Sequence, residues 1–311
     1  MTDPRDHGGG LDAAIAIYGG TRADWLDLST GINPVAYPIS PFSHDAWTAL
    51  PDAKAFDALS LAARNFWQVP DHLAILPAQG ASALIAALPA LTSSDRVYIP
   101  KPTYNEHAAA FAAHGIAEAG PDAQTHVYVH PNTPDGRLST DAISARDLTG
   151  IDESFCDTTP DASLVPQIGD TNTLVLKSFG KFWGLAGLRL GFAIGPASLI
   201  NPLRDRIGPW AVAGPALELG AIALRDAAWA ERTRARLVAD SVRLDACLQT
   251  SNAIPLGGTP LFRLFEVNDA KEWQQRLGQA HVWSRIFPYS KTWLRLGLPH
   301  PDRWSHLETA L

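Results

Sequence analysis

The chain has 311 residues, 46% of them apolar and 18% charged, with a net charge of −7; this suits a soluble globular protein with one large domain and a smaller one. It contains no basic run, which argues against a nucleic-acid partner, and no stretch long enough to span a membrane. The polar N-terminus Met1–His7 has no apolar signal region, and the two cysteines, Cys156 and Cys247, form neither a metal spacing nor a disulfide framework, so a cytoplasmic protein without a metal is expected.

Residues 1–35 read as an arm: His7-Gly8-Gly9-Gly10, a short helical pattern over Leu11–Tyr18, a short strand over Trp25–Ser29, and a turn at Thr30-Gly31-Ile32-Asn33-Pro34. Residues 45–69 read as helical with a break at Pro51-Asp52. A strand at Leu73–Pro77 leads through Ala78-Gln79-Gly80-Ala81-Ser82 into a helix over Ala83–Leu91. A small-residue loop ahead of a helix leaves backbone N–H groups free for an anion. Strands at Arg96–Pro100 and Gln124–Val129 follow, the first closed by Pro102-Thr103-Tyr104 and a helix over 105–114. The second ends in the turn His130-Pro131-Asn132-Thr133-Pro134-Asp135-Gly136. Residues around Ala142–Leu148 read as helical, ahead of Asp152-Glu153-Ser154-Phe155. After Ile207 the texture changes to a long helical pattern over 215–250, then strands at Leu261–Phe265 and Trp293–Leu298 with a helix at Lys271–Leu277 between them.

Alternating short strands and helices predict an α/β fold, with a three-layer, mostly parallel sheet over residues 36–208, and a smaller α+β domain over 209–311 joined by the arm 1–35. In such sheets ligands lie beyond the carboxyl ends of the strands. Gly80–Ser82, Tyr104, Asn132-Thr133, Asp152 and Lys181 all follow strand-like runs, so they are expected on one rim.

The stretch Leu174–Phe192, LVLKSFGKFWGLAGLRLGF, is the most informative. Between two apolar runs it places Ser178, Lys181 and Arg189, three and then eight residues apart, among four glycines. An amine to condense with a carbonyl compound and two partners for a phosphate fit this pattern. Ser178-Phe179-Gly180-Lys181 also has the form Ser-x-x-Lys, but the companion Ser-Asp-Asn and Lys-Thr-Gly elements of penicillin-binding enzymes are absent. A nucleotide P-loop is ruled out by Val175 and Phe182 where Gly and Ser/Thr belong. Lys177 is the rival amine, disfavoured by its position ahead of Ser178. A glycine-rich turn with surface lysines remains the plain alternative for the loop taken alone.

Taken together, these residues resemble the fold-type-I pyridoxal-phosphate enzymes of the class I/II aminotransferase superfamily, over nearly the whole chain. The resemblance implies pyridoxal 5′-phosphate as cofactor. It assigns Lys181 as the lysine that bonds the cofactor, Asp152 as the partner of its ring nitrogen, and Tyr104 as the ring stacked on it. Ser178, Arg189 and Gly80-Ala81-Ser82 match the phosphate ligands, and Thr133 falls where an asparagine donates to the cofactor's 3′-oxygen. The features His7-Gly8-Gly9, Asp27–Pro34 and Leu294–Pro299 are most similar to the L-threonine-O-3-phosphate decarboxylases of cobalamin biosynthesis. Histidinol-phosphate aminotransferases are close relatives. On this reading His7, Gly8, Gly9, Asn33, Asn132, Arg285 and Arg295 hold a small phosphorylated amino acid, and the protein is a homodimer. The chain departs from the pattern at Thr133, at Phe155 in place of a tyrosine, and at Leu50 in place of a tyrosine that reaches the neighbouring subunit. Decarboxylase, aminotransferase and a non-catalytic ligand-binding module of the same fold are the three readings left open.

Overall fold

The computed structural model describes residues 7–139, 142–144 and 146–311. The chain divides into two compact units: one takes the N-terminal segment through Val35, residues 134–136 and Thr233–Leu311, and the other takes Ala36–Thr133 and Arg137–Arg232.

The N-terminal segment forms α1 (Leu11–Tyr18) and β1 (Leu26–Asp27). The larger unit follows with α2 (His44–Thr48), α3 (Ala53–Phe66), β2 (Ala74–Ala78), α4 (Gly80–Ala87), β3 (Arg96–Tyr98), α5 (Asn105–Ala113), β4 (Ala117–Glu118), β5 (Thr125–Val129), β6 (Leu148–Asp152), β7 (Thr173–Ser178), β8 (Gly191–Gly195), α6 (Ala197–Ile207) and α7 (Gly214–Ala223). Its seven-stranded sheet has the order β2-β8-β7-β6-β5-β3-β4. The pairs from β4 through β7 are parallel, and β8 runs antiparallel to both β7 and β2. Strands β6 and β8 are buried at every residue, as helix-covered central strands must be. Leu76, Val97, Phe111, Val127, Leu174 and Leu203 lie in the core. Helix α3 starts where Asp52 accepts from the Ala55 N–H at 2.8 Å, an N-cap that explains the break seen at Pro51-Asp52.

The remaining elements are α8 (Ala227–Gln249), β9 (Ile254–Thr259), β10 (Phe262–Glu266), α9 (Ala270–Gln279), β11 (Val282–Trp283), β12 (Arg285–Phe287), β13 (Ser290–Gly297) and α10 (Trp304–Ala310). In the smaller unit β12-β13-β10-β9 form an antiparallel sheet, and β1 pairs in parallel with β11.

Three local readings change. Helix α4 begins at Gly80, not Ala83, so Gly80-Ala81-Ser82 are its first turn. The described residues of 142–147 are not helical, and Leu148 opens a strand; Leu148, Gly150 and Ile151 are drawn into the buried sheet between β5 and β7. The helical pattern over 215–250 is two helices, and the division between units falls at Arg232, inside α8, rather than after residue 208. Helix α7 stays with the larger unit because Gly220 lies flush on Leu59 of α3, with no room for a Cβ.

Candidate active site

The parallel strands bring their carboxyl ends to one edge of the larger sheet, and β2, antiparallel to an antiparallel strand, ends there too. Ala78 and Ser178 are both paired with Gly191, the first residue of β8, one from each side. A Cβ at Gly191 would sit 2.5 Å from the Ala81 nitrogen; the missing side chain is what lets the α4 entry and the end of β7 close on one point. At that point lie the free N–H groups of the first turn of α4, the Ser178 hydroxyl and the Arg189 guanidinium. Gly80 has φ +78°, and a Cβ there would meet Arg189 Nη2 at 2.7 Å. Arg189 itself is held left-handed at φ 55°, a conformation that costs a non-glycine residue about 1 kcal/mol or more. It donates to the Ala186 carbonyl at 3.0 Å and to Ser82 Oγ at 3.5 Å. Strain gathered where a cation meets helix N–H groups fits a phosphate cradle.

Lys181 follows on the loop after β7. Its ammonium lies 5.3 Å above the centroid of Phe155, a buried ring. Lys177, the rival amine, is 1% exposed and clamped by Glu153 at 2.5 Å, with Asp157 at 3.6 Å. Burial pulls its pKa down, but its neighbours, the Glu153 carboxylate foremost, outweigh this and hold it above the ordinary lysine value. An amine so committed is a poor nucleophile, which leaves Lys181 as the candidate of the two. Asp157 also accepts from the indole N–H groups of Trp67 at 2.8 Å and Trp183 at 3.1 Å, so this cluster ties the ends of β6 and β7 to the Lys181 loop. His130, Glu153 and Cys156 offer atoms within 4.8 Å of one another. Those atoms are already committed: His130 bonds the Ala162 carbonyl and the Ser139 N–H, Glu153 bonds Lys177, Ser163 and Leu164, and burial pushes the Cys156 thiol far up. The Lys177 ammonium supplies the positive charge there.

Asp152 ends β6 and is 3% exposed. One carboxylate oxygen accepts from the Ser154 hydroxyl at 2.5 Å and its N–H at 3.0 Å; the other faces His107 Nε2 at 3.0 Å. Burial alone would raise its pKa, but the hydrogen bond and charge of His107, then the Ser154 bonds, hold it below the usual carboxylate range. His107 is fully buried, with no hydrogen-bond partner for Nδ1, and it packs edge-on to Tyr104, 6.1 Å between centroids. Sequence reasoning missed it. The signal available was its place three residues after Tyr104 at a helix start, on the same face.

Asn132 and Thr133 follow β5 and are buried. The Asn132 carboxamide accepts from Thr103 Oγ1 at 2.6 Å and donates to the Pro102 carbonyl at 3.0 Å. Its side chain thus fastens the segment that carries Tyr104.

The other expected substrate residues belong to the smaller unit. Arg285 of β12 is paired directly with Arg295 of β13, so both side chains leave the same face. Gly9 donates to Ser29 Oγ at 2.7 Å, and Arg295 Nη2 donates to the Ser29 carbonyl at 2.8 Å, which gathers the His7-Gly8-Gly9 arm and Arg295 about one residue. Asn33 is buried, its Oδ1 accepting from the Val35 N–H at 3.0 Å and from Arg236 at 2.5 Å.

Residues 148–304 match the family described as aminotransferase class I and II. A threonine-phosphate decarboxylase of Sinorhizobium sp. is 39% identical, the match covering 97% of this chain and 95% of that one. Another, of Pseudomonas aeruginosa, is 36% identical over 98% and 97%. In fold, the chain is similar to the crystal structure of histidinol-phosphate aminotransferase from Sinorhizobium meliloti in complex with pyridoxal-5′-phosphate, with a TM-score of 0.81 at 17% identity, covering 100% of this chain and 94% of that one. The chain belongs to the aminotransferase class I and II family and has its fold-type-I architecture. It is by that membership a pyridoxal-phosphate-dependent enzyme. The residues present fit the cofactor: a cradle at Gly80, Ser178 and Arg189 closed to any added Cβ, a buried ionised carboxylate for a ring nitrogen, and a loop lysine for its aldehyde.

Proposed function

We propose that the chain decarboxylates L-threonine O-3-phosphate to (R)-1-amino-2-propanol phosphate in cobalamin biosynthesis. The observation that carries this reading is the direct pairing of Arg285 with Arg295. Like charges facing across a ladder repel, and a substrate bearing a phosphate and a carboxylate relieves that repulsion with two fork-shaped contacts. The names of the two near-full-length relatives support the same substrate.

When bound, pyridoxal phosphate supplies an electron sink for the pair left when a bond to Cα breaks. Gly80, Ala81, Ser82, Ser178 and Arg189 would hold its phosphate, and Tyr104 would pack against its ring. Asp152 would face its ring nitrogen, and Thr133 would offer a hydroxyl to its 3′-oxygen. Lys181 would supply the amine that holds it and the group that carries a proton to the substrate's Cα. Arg285 and Arg295, with His7, Gly8, Gly9 and Asn33, grip the substrate's two anions. That grip would set the orientation of the substrate's Cα, and decarboxylation requires it to leave the bond to the carboxylate as the one that breaks. Asn132 joins the substrate contacts on this reading, and its carboxamide also fastens the segment that carries Tyr104.

L-threonine O-3-phosphate, given to the cofactor-loaded protein with and without a keto-acid acceptor, tests the assignment. Carbon dioxide and aminopropanol phosphate are expected in both tubes. Turnover only with the acceptor would make it an aminotransferase. No turnover and no cofactor absorbance would leave a binding module.

The functional species on this reading is a cytoplasmic homodimer. No described helix is long and apolar enough to cross a membrane. The larger unit carries a groove of about 520 Å³ lined by Ala46, Leu50, Ala55, Leu217 and Ile222 among others, beside Trp47, 69% exposed. Sedimentation equilibrium should give twice the chain mass, and Trp47→Glu should halve it; a monomeric wild-type protein overturns the assignment.

A further inference from the structure

We propose that Ser29 is a positioning residue that latches the N-terminal arm to Arg295, with Asp27 setting the direction of its hydrogen bond. The proposal rests on the reading of His7–Gly9 and Arg295 as substrate residues.

Ser29 is 1% exposed and makes contacts in three directions. Its hydroxyl donates to Asp27 Oδ1 at 2.6 Å and accepts from the Gly9 N–H at 2.7 Å. A serine hydroxyl has one proton, and a carboxylate can only accept. Asp27 therefore takes that proton and leaves a lone pair facing Gly9. Asp27 Oδ1 also accepts from the Ser29 N–H at 3.0 Å, which fixes the local turn. On the other side the Ser29 carbonyl accepts from Nη2 of the buried Arg295 at 2.8 Å.

The surrounding backbone leaves little play. A Cβ on Gly8 would lie 2.5 Å from the Ser29 carbonyl oxygen, so the arm is seated directly on that peptide. Gly297, two residues after Arg295, donates to the Leu28 carbonyl at 2.7 Å, and a Cβ there would lie 2.2 Å from the Thr30 carbonyl oxygen. The segment Leu28–Thr30 thus lies between the arm and the end of β13, and Ser29 is the residue that bonds both. Its backbone aims the arginine and its side chain holds the glycines. A change confined to the side chain should release the arm and leave the arginine in place.

The experiment compares Ser29→Ala, Gly8→Ala, Asp27→Asn and Asp27→Ala in the full-length, cofactor-loaded protein. Hydrogen exchange of the peptide spanning Gly8–Gly10 and steady-state kinetics with L-threonine O-3-phosphate are the readouts. Ser29→Ala should accelerate exchange there and raise KM about fivefold, the loss of one hydrogen bond, with a smaller change in kcat and an unaltered cofactor absorbance. Gly8→Ala, which leaves the Ser29 side chain intact but unseats the arm, should do the same. Asp27→Asn keeps an acceptor oxygen and should stay close to wild type, whereas Asp27→Ala should fall between. Unchanged exchange in Ser29→Ala overturns the latch, and so does an equal loss of kcat, cofactor absorbance and KM in all four variants, which is the mark of a merely structural residue. If the wild-type protein does not turn over L-threonine O-3-phosphate, the assigned reaction fails, and the exchange data alone decide the latch.

Discussion

The two units differ in the charges they place at the residues expected to meet ligands. In the larger one, charges at the rim have protein counterparts built in: Lys177 meets Glu153 and Asp157, and Asp152 meets His107. In the smaller one, two arginines are paired side by side on one face of a sheet. The first arrangement holds its geometry before any ligand arrives. On the proposed reading, the second meets the substrate's anions, which suits it to discriminating between ligands.

The contrast is broken most severely at Lys181. Lys181→Ala should remove covalent attachment of the cofactor and lower kcat by about a thousandfold or more, as loss of a proton-transferring group does; absorbance of the loaded protein and single-turnover assays read both. Full activity in that variant would move the chemistry elsewhere. Lys177→Met tests the built-in side. It leaves the Glu153 and Asp157 carboxylates buried without their cation, and breaking such a pair costs about 3–5 kcal/mol. Urea unfolding should show that loss. An unchanged midpoint would mean that the cluster is not an ion pair in the folded protein.

The ligand-completed side responds differently. Arg295→Lys keeps the charge but replaces a planar fork with a point. KM for the phosphorylated substrate should rise about tenfold, some 1.4 kcal/mol, while unfolding and cofactor absorbance stay near wild type. A variant that unfolds early instead would put Arg295 among the built-in charges and erase the distinction between the units.

Much of this division is legible in the sequence, and unevenly so. Ser178, Lys181, Arg189 and Gly80 sit in short motifs whose spacing carries the chemistry, and the sheet brings the loops that bear them to one rim. Contacts formed across long sequence separations are not legible. Glu153 and Lys177 are 24 residues apart, and Trp67 meets Asp157 over 90; nothing local marks either pair. Lys177 could be set aside as the reactive amine by its position, but its role as a buried cation emerges only when β6 and β7 lie side by side. Leu148 misleads for a related reason: it reads as the end of a helical run, yet it opens β6, and only the neighbouring strands decide. Ser29 reads as a strand end, because its partners Gly9 and Arg295 lie 20 and 266 residues away.

The finest test of the built-in side is His107→Phe. In the folded protein the Asp152 carboxyl is held below its ordinary value, against burial, mainly by the His107 bond and charge. Such a group stabilises the fold above its unfolded pKa of about 4, and that contribution is lost as the pH falls through the folded-state value. Phenylalanine fills the space of the ring but supplies neither proton nor charge, so burial would dominate and the carboxyl would rise. The acid limb of the kcat profile should then move to higher pH, and acid unfolding should begin at a correspondingly higher pH. The difference in kcat between variant and wild type should shrink as the pH rises. Because His107 acts only through Asp152, the double variant His107→Phe/Asp152→Asn should show no acid limb of this origin and little further loss beyond Asp152→Asn. Additive losses would instead mean that His107 has a task of its own, and that the unpartnered Nδ1 is where to look for it.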